Sequence, residues 1–329
     1  MSIQAGDYPS DKGYLERARR HCYRPSMSSP LLIRKRRARF FVDADAGYAL
    51  PNHATDWYVR WWTESYKEWE PETFRVFDAF LDRHHSYIDV GAWIGPTVLY
   101  GASKAKHVYA LEPDPVAYAA LHRNIVMNPQ FARKITAVEA ALGDSDGESI
   151  FGGNGELGNS ESTLLIRDPS YISDQAERPR MGSAEQDRAW RDGARTTVRT
   201  VTIETFLREN RIADCSFVKM DIEGGEAIAV PAMEKFLRAE RPTFFVSLHW
   251  VYLSKPQIES IVNLLYDIYP FIYDVHLHRT LQRETVMGKC VGQLVCAARP
   301  LPPLRRAAIA VAHKAMNARA YARGLLRRM

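Results

Sequence analysis

The sequence predicts an α/β protein built on a doubly wound, mostly parallel sheet with an antiparallel edge strand. Three observations carry that expectation. From Ser86 onward, strand-like and helix-like segments alternate, the pattern of a sheet covered by helices on both faces. The strand-like segments are short, nearly continuous apolar runs, as in strands buried on both sides. The first of them, in "YIDVGAWIGPTVLYGA" (Tyr87–Ala102), breaks at Gly91 and enters a helix at Pro96, a position that needs no backbone N–H.

The elements follow in order. Residues 1–36 are polar and basic and read as a loose arm or a peripheral helix, and alternating apolar pieces from Phe40 to Leu50 suggest a hairpin. The segment "DWYVRWWTESYKEWEPETFRVFDAFLDRHH" has helical spacing and carries Trp57, Trp61, Trp62 and Trp69. Those rings either cover one edge of the sheet or wall an acceptor pocket. Residues 1–73 thus form an N-terminal arm and helical cap. The main domain, 74–298, runs through strands in "SYIDVG", "HVYALEP", "ITAVEAAL", "CSFVKMDIEG" and "PTFFVSLHW", with helices between them. The segments "FIYDVHL" and "GQLVCAA" have no long helix between them and supply the antiparallel edge. A polar insertion at 143–197 contains "GGNGELGNSEST", which reads as a flexible loop.

The chain of 329 residues has a net charge of +5, but the charge is local. The tail at 299–329 holds eight Lys and Arg and no acid, which leaves a body of 36 basic and 39 acidic residues. A mildly acidic body argues against a nucleic-acid-binding surface. Within the tail, Leu304, Ala308, Val311, Ala315, Ala318, Ala322 and Leu325 fall on one stripe of a helix, and Arg305, Arg319, Arg323 and Arg327 on another face. Such a basic amphipathic helix either packs on its own domain or a sister subunit, or rests on an anionic membrane surface. No apolar run reaches membrane-spanning length, and the N-terminal segment lacks the apolar core of a secretory signal. Cys22, Cys215, Cys290 and Cys296 have no metal-ligand spacing and are expected to be buried, reduced thiols in a cytoplasmic protein. The tail would be the part that meets the inner face of a membrane.

Four constellations carry chemistry. In the loop after the first strand, Asp89, Gly91 and Gly95 stand as D-x-G-x-x-x-G, with Ala92 and Trp93 between the glycines. A dinucleotide-binding turn would place glycine where Trp93 stands, so that a diphosphate could approach. The pattern suits S-adenosylmethionine (SAM), which has no phosphate and whose ammonium Asp89 could meet directly or through water. Glu112 ends the second strand, with Asp114 just beyond. An acid there accepts hydrogen bonds from ribose hydroxyls, in a dehydrogenase as well. Adenine would lie near Ala141 and Leu142. The third constellation is "KMDIEGGE", Lys219 to Glu226. Burial and mutual repulsion of its acids would raise at least one proton affinity, as a general base requires, although Glu223 and Glu226 could also serve only to favour a helix N-terminus. Asp221 and Glu223 offer oxygen ligands, but with no histidine at ligand spacing no metal site is read. The fourth is His249, at the end of "FFVSLH". His276 and His278 show no usable spacing.

Taken together, "YIDVGAWIGPTVLYGA", "VYALEPDPVAYAALHRNI", "AALGDSDG", "VRTVTIETFL", "FVKMDIEGGEAIAV" and "FVSLHW" resemble the FkbM-type family of SAM-dependent methyltransferases, over roughly Phe74 to Trp250. The resemblance implies a class I methyltransferase (Rossmann-like) fold and O-methylation of a hydroxyl on a saccharide, a glycolipid or a natural product such as a macrolide. It places Asp89, Gly91, Gly95 and Glu112 at SAM, and Asp221, Glu223 and His249 at the reaction. Trp93 stands where the family usually has Asn, and Ser247 where it often has Glu. The acceptor oxygen would attack the sulfonium methyl, with Asp221 as the first choice of base and His249 the second. The Gly153–Thr163 loop and the tryptophans at 57–69 would bind the acceptor. The alternatives are a nicotinamide-dependent oxidoreductase on a similar fold and a non-catalytic module that anchors partners through its basic tail.

Overall fold

A computed structural model of the chain describes residues 30–49, 55–153, 156–160, 162–165 and 194–302. The tail helix, the arm before Pro30, Cys22 and the 166–193 part of the insertion lie outside the described residues.

Two strands lead: β1 (Pro30–Lys35) and β2 (Ala38–Asp43). The central sheet then uses β3 (Ser86–Val90), β4 (Val108–Leu111) and β5 (Ile135–Val138). The short β6 (Ala141–Leu142), β7 (Gly147–Gly153), β8 (Ser162–Leu165) and β9 (Arg195–Val201) belong to a second sheet. The chain returns to the central sheet with β10 (Cys215–Met220), β11 (Thr243–Ser247), β12 (Phe271–Tyr273) and β13 (Gln293–Ala297). The central order is β12-β13-β11-β10-β3-β4-β5. All pairs from β11 to β5 are parallel, and β13 is antiparallel to both β11 and β12. The chain is therefore a mixed α/β protein with a large, mostly parallel sheet and an antiparallel edge.

Strand alternation divides the core into two layers. Tyr87, Phe217 and Phe245 pack with the cap and with the helices Pro96–Ala102 and Pro115–Val126. Ile88, Val218, Phe244 and Val246 face the helices Ile203–Glu209, Glu226–Ala232, Glu234–Glu240 and Lys255–Ile268. The strand order reverses between β3 and β10, so the carboxyl ends of those strands open onto a crevice. Among the described residues no helix is long and apolar enough to cross a membrane.

The cap departs from expectation in register. Residues 30–43 form the hairpin, Ile33 opposite Phe40, so 30–36 are neither a loose arm nor a helix. The turn is made by Arg36 with φ of 54°, and no Gly, Asn or Pro marks it in the sequence. The outer backbone of β2 is satisfied by side chains: Asn128 accepts from the Phe41 N–H, and Asn124 accepts from that of Asp43. The tryptophan-bearing helix starts at Thr55, passes through a wider π turn at Trp61–Ser65 and stops at Glu68. Lys35 closes it, its ammonium donating to the carbonyls of Tyr66, Lys67 and Trp69. Pro71–Phe80 is a second helix.

The insertion also differs. Its "flexible loop" contributes β8, which pairs antiparallel with β7, and β7 pairs in turn with β9. The expected third strand divides into β5 in the central sheet and β6, which pairs with β9. The described cysteines are free thiols, but only Cys296 is buried; Cys215 is partly exposed and Cys290 exposed.

Candidate active site

The crevice is a cavity of about 430 Å³ lined by the ends of β3, β4, β6 and β10, by the cap tryptophans and by the insertion. This size suits a small-molecule ligand. Its first end is built around Gly91. A Cβ there would lie 2.0 Å from the Asp221 carbonyl oxygen, and φ is +83°, so only glycine lets the β3 and β10 ends cross this closely. Trp93 follows with φ of 48°. Its backbone N–H donates to Glu112 at 2.6 Å, and the Asp114 N–H donates to the other Glu112 oxygen at 2.8 Å. Burial, with repulsion from Asp114, pushes the Glu112 carboxyl up to about 8. Ala92, Trp93, Glu112, Ala141 and Leu142 line the cavity with Gly91.

Asp89, Gly95 and Asp114 stand behind that lining. Asp89 is fully buried, with Lys219 Nζ 3.4 Å away. Gly95 turns the chain into its helix at φ of +96°. Asp114 caps the helix Pro115–Val126, accepting from the Val116 and Ala117 N–H groups. Its second oxygen accepts from the Gly158 N–H, while the Trp93 indole donates to the Gly158 carbonyl. Trp93 and Asp114 thus clamp the insertion over the cavity, and Thr163 adds a bond to the Ile222 carbonyl at 2.7 Å.

The second end gathers Asp221, Glu223 and His249. Asp221 follows β10, and Lys219 lies 3.6 Å from it. Glu223 takes a left-handed conformation, φ 52°. His249 Nε2 is 3.3 Å from Asp221 Oδ1 and 3.3 Å from Glu223 Oε2. Its Nδ1 is 2.8 Å from Glu226 Oε1. Glu226 is fully buried and also accepts from the N–H groups of Ile222 and Gly224. Burial opposes the charge of Asp221, but Lys219 and His249 outweigh it and hold the carboxyl well below its usual range. Burial also opposes the charged imidazole, yet three carboxylates raise the pKa of His249 well above its ordinary value. The Glu223 carboxyl is pushed up, chiefly by burial.

Residues 89–276 match the family model of the methyltransferase FkbM domain. The chain belongs to the FkbM methyltransferase family. Its resemblance to an FkbM methyltransferase of Methylobacillus flagellatus KT has a TM-score of 0.38 and 18% identity, over 65% of this chain and 43% of that one. This FkbM chain thus spans less than half of that relative. A precorrin-6y C5,15-methyltransferase of Geobacter metallireducens GS-15 follows, with a TM-score of 0.31 and 13% identity over 62% of this chain and 72% of the other. No curated protein matches the chain.

Members of this family generally use SAM, and the residues present fit it. Gly91, Trp93 and Glu112 border the cavity at the end where the first two parallel strands stop. Two contributors lie outside the site residues that the sequence singled out in this FkbM chain. Glu226 supplies the carboxylate that holds His249; its place as the third acid of the 219–226 motif was the available signal. Glu70 enters the cavity from the cap at φ of 40°, and burial with the Asp221 charge brings its carboxyl up to about 7. Its place before Pro71 gave no such signal.

Proposed function

We propose that the chain is a SAM-dependent O-methyltransferase whose acceptor is a hydroxyl of a saccharide, glycolipid or natural product. The observation that supports this most is the continuous cavity that joins Glu112 at one end to Asp221 and Glu223 at the other, with His249 against both acids.

SAM would supply an electrophilic methyl group on its sulfonium. Glu112 would hold the ribose hydroxyls, Ala141 and Leu142 would border the adenine, and the Gly91–Gly95 loop would receive the methionine portion. Trp57, Trp61, Trp69 and Trp93 form the opposite wall, with Trp61 and Trp93 edge to face at 4.9 Å. Such rings suit the C–H faces of a sugar or another flat apolar face. The Asp221–Glu223–His249 group would meet the acceptor hydroxyl and receive its proton. Within the group, Glu223 has the proton affinity raised by burial, whereas Asp221 is held ionised by Lys219 and His249. Alignment and proton removal are the work required of the protein in an in-line displacement.

The test is transfer of labelled methyl from SAM to a panel of saccharides and hydroxylated natural products. Transfer that falls at least about 100-fold in Glu223→Gln, with SAM affinity kept, supports the reading. Labelled product that appears on amines or thiols but never on hydroxyls contradicts it.

A further inference from the structure

The Asp221–Glu223–His249 corner has the form of a cation site, and we infer that it binds a divalent metal ion of the Mg²⁺ or Mn²⁺ type. The inference rests on the proposed function only for the ion's use, not for its binding.

The ligand set is complete only in the fold. Asp221 and Glu223 leave the end of β10, and His249 arrives from the end of β11. One atom from each lies within 4.8 Å of the others. Nε2 stands 3.3 Å from an oxygen of each acid, long for a charge-assisted hydrogen bond. Neighbouring ligand atoms on an octahedral ion stand about 2.9 Å apart around Mg²⁺ and about 3.3–3.7 Å apart around a larger ion with bonds of about 2.3–2.6 Å, so these side chains need close in by only about 0.4 Å to hold Mg²⁺. The spacing of nitrogen to each oxygen is therefore that of adjacent corners around an ion.

The far side of the imidazole gives an independent sign. Nδ1 is held at 2.8 Å by Glu226, which is fully buried and fixed by two backbone N–H groups. That leaves Nε2 turned toward Asp221 and Glu223, the arrangement in which an outer carboxylate orients a ligating histidine. Charge points the same way. Lys219 is divided between Asp221 at 3.6 Å and the fully buried Asp89 at 3.4 Å, and among the described residues neither Asp89 oxygen meets a well-aligned hydrogen-bond donor. Four carboxyl groups, of Asp89, Asp221, Glu223 and Glu226, thus gather around one ammonium and one imidazole. The two carboxylates suit a hard divalent ion and the imidazole a softer one, so of the two ions Mn²⁺ answers the set better than Mg²⁺. The acids border the cavity, where an acceptor oxygen could join the ion.

The test is titration of the metal-free full chain with Mn²⁺, read by calorimetry and by loss of the free-ion electron-spin signal, with S-adenosylhomocysteine titrated in parallel. One ion per chain, weakened at least tenfold in Glu223→Gln and in His249→Gln and about tenfold or more in Glu226→Gln, is expected. Retained S-adenosylhomocysteine binding in Glu223→Gln shows that the variant is folded. No Mn²⁺ or Mg²⁺ binding by the wild type, or binding unchanged in Glu223→Gln and His249→Gln, overturns the inference. Mn²⁺ binding without any S-adenosylhomocysteine binding would leave the cation site standing and remove the proposed function instead.

Discussion

Glu226 Oε1 lies 2.8 Å from His249 Nδ1, joining residues that the sequence separates by most of two helices and a strand. The same carboxylate accepts from the N–H groups of Ile222 and Gly224, so a single buried side chain fixes both the acidic loop and the imidazole. Glu226→Ala should lower methyl transfer at least tenfold and destabilise the protein by about 3 kcal/mol, because three polar groups lose a charged partner. Glu226→Gln should recover part of the stability and less of the turnover. Thermal unfolding beside kcat checks both.

Gly91→Ala should be far more damaging than a methyl group suggests. The added carbon would meet the Asp221 carbonyl at 2.0 Å from a left-handed backbone, so β3 and β10 must part where the cavity begins. Soluble yield and S-adenosylhomocysteine affinity should both collapse, whereas Gly288→Ala, where nothing lies within 4 Å, should be nearly silent in the same assays.

Trp93→Phe keeps a ring against Trp61 but removes the indole N–H that holds the Gly158 carbonyl. The expected result is faster proteolytic cleavage within the insertion and a KM for the acceptor raised several-fold. Cofactor affinity should change less, since the backbone bond to Glu112 remains. Limited proteolysis and steady-state kinetics separate the two effects.

Lys35 donates to three carbonyls at the end of the tryptophan-bearing helix and is almost wholly buried. Lys35→Met would leave those acceptors unsatisfied, at about 3 kcal/mol, and loosen Trp61 and Trp69. A lower denaturation midpoint with a shifted tryptophan emission is expected.

Stability of the ligand-free protein should fall as pH rises. The folded pKa of Glu112, about 8, lies above its ordinary 4.5 because of burial. Its favourable contribution is therefore fully present below about 4.5 and is lost as pH rises through about 8. Asp114, raised by burial to about 6, acts in the same direction. Thermal midpoints between pH 5 and pH 8.5 should fall for the wild type and fall less for Glu112→Gln.

The central sheet was legible because its strands are apolar on both faces and its helices are bounded by Pro, Gly and acids. Gly91, Glu112 and the Lys219–Glu226 motif could be placed at strand ends for the same reason. The cap hairpin was not, since Arg36 makes its turn and the outward face mixes Arg34 and Arg39 with exposed Leu32 and Phe41. The insertion hid β7 because three of its seven residues are glycine, and β8 because it is only four residues long. Asp114, two residues beyond Glu112, spends its side chain on a helix cap and on Gly158, a role that its place in the sequence does not reveal. Lines of sequence cannot show that His249 completes a set begun by Asp221 and Glu223, because the crossover between β10 and β11 alone brings them together.

The most direct test of the account is calorimetric titration of the protein with SAM, S-adenosylhomocysteine and NAD, repeated on Glu112→Ala. Micromolar binding of the two adenosyl compounds, lost in the variant and absent for NAD, is the predicted result. No binding of either adenosyl compound by the folded wild type, or binding of NAD alone, would contradict it.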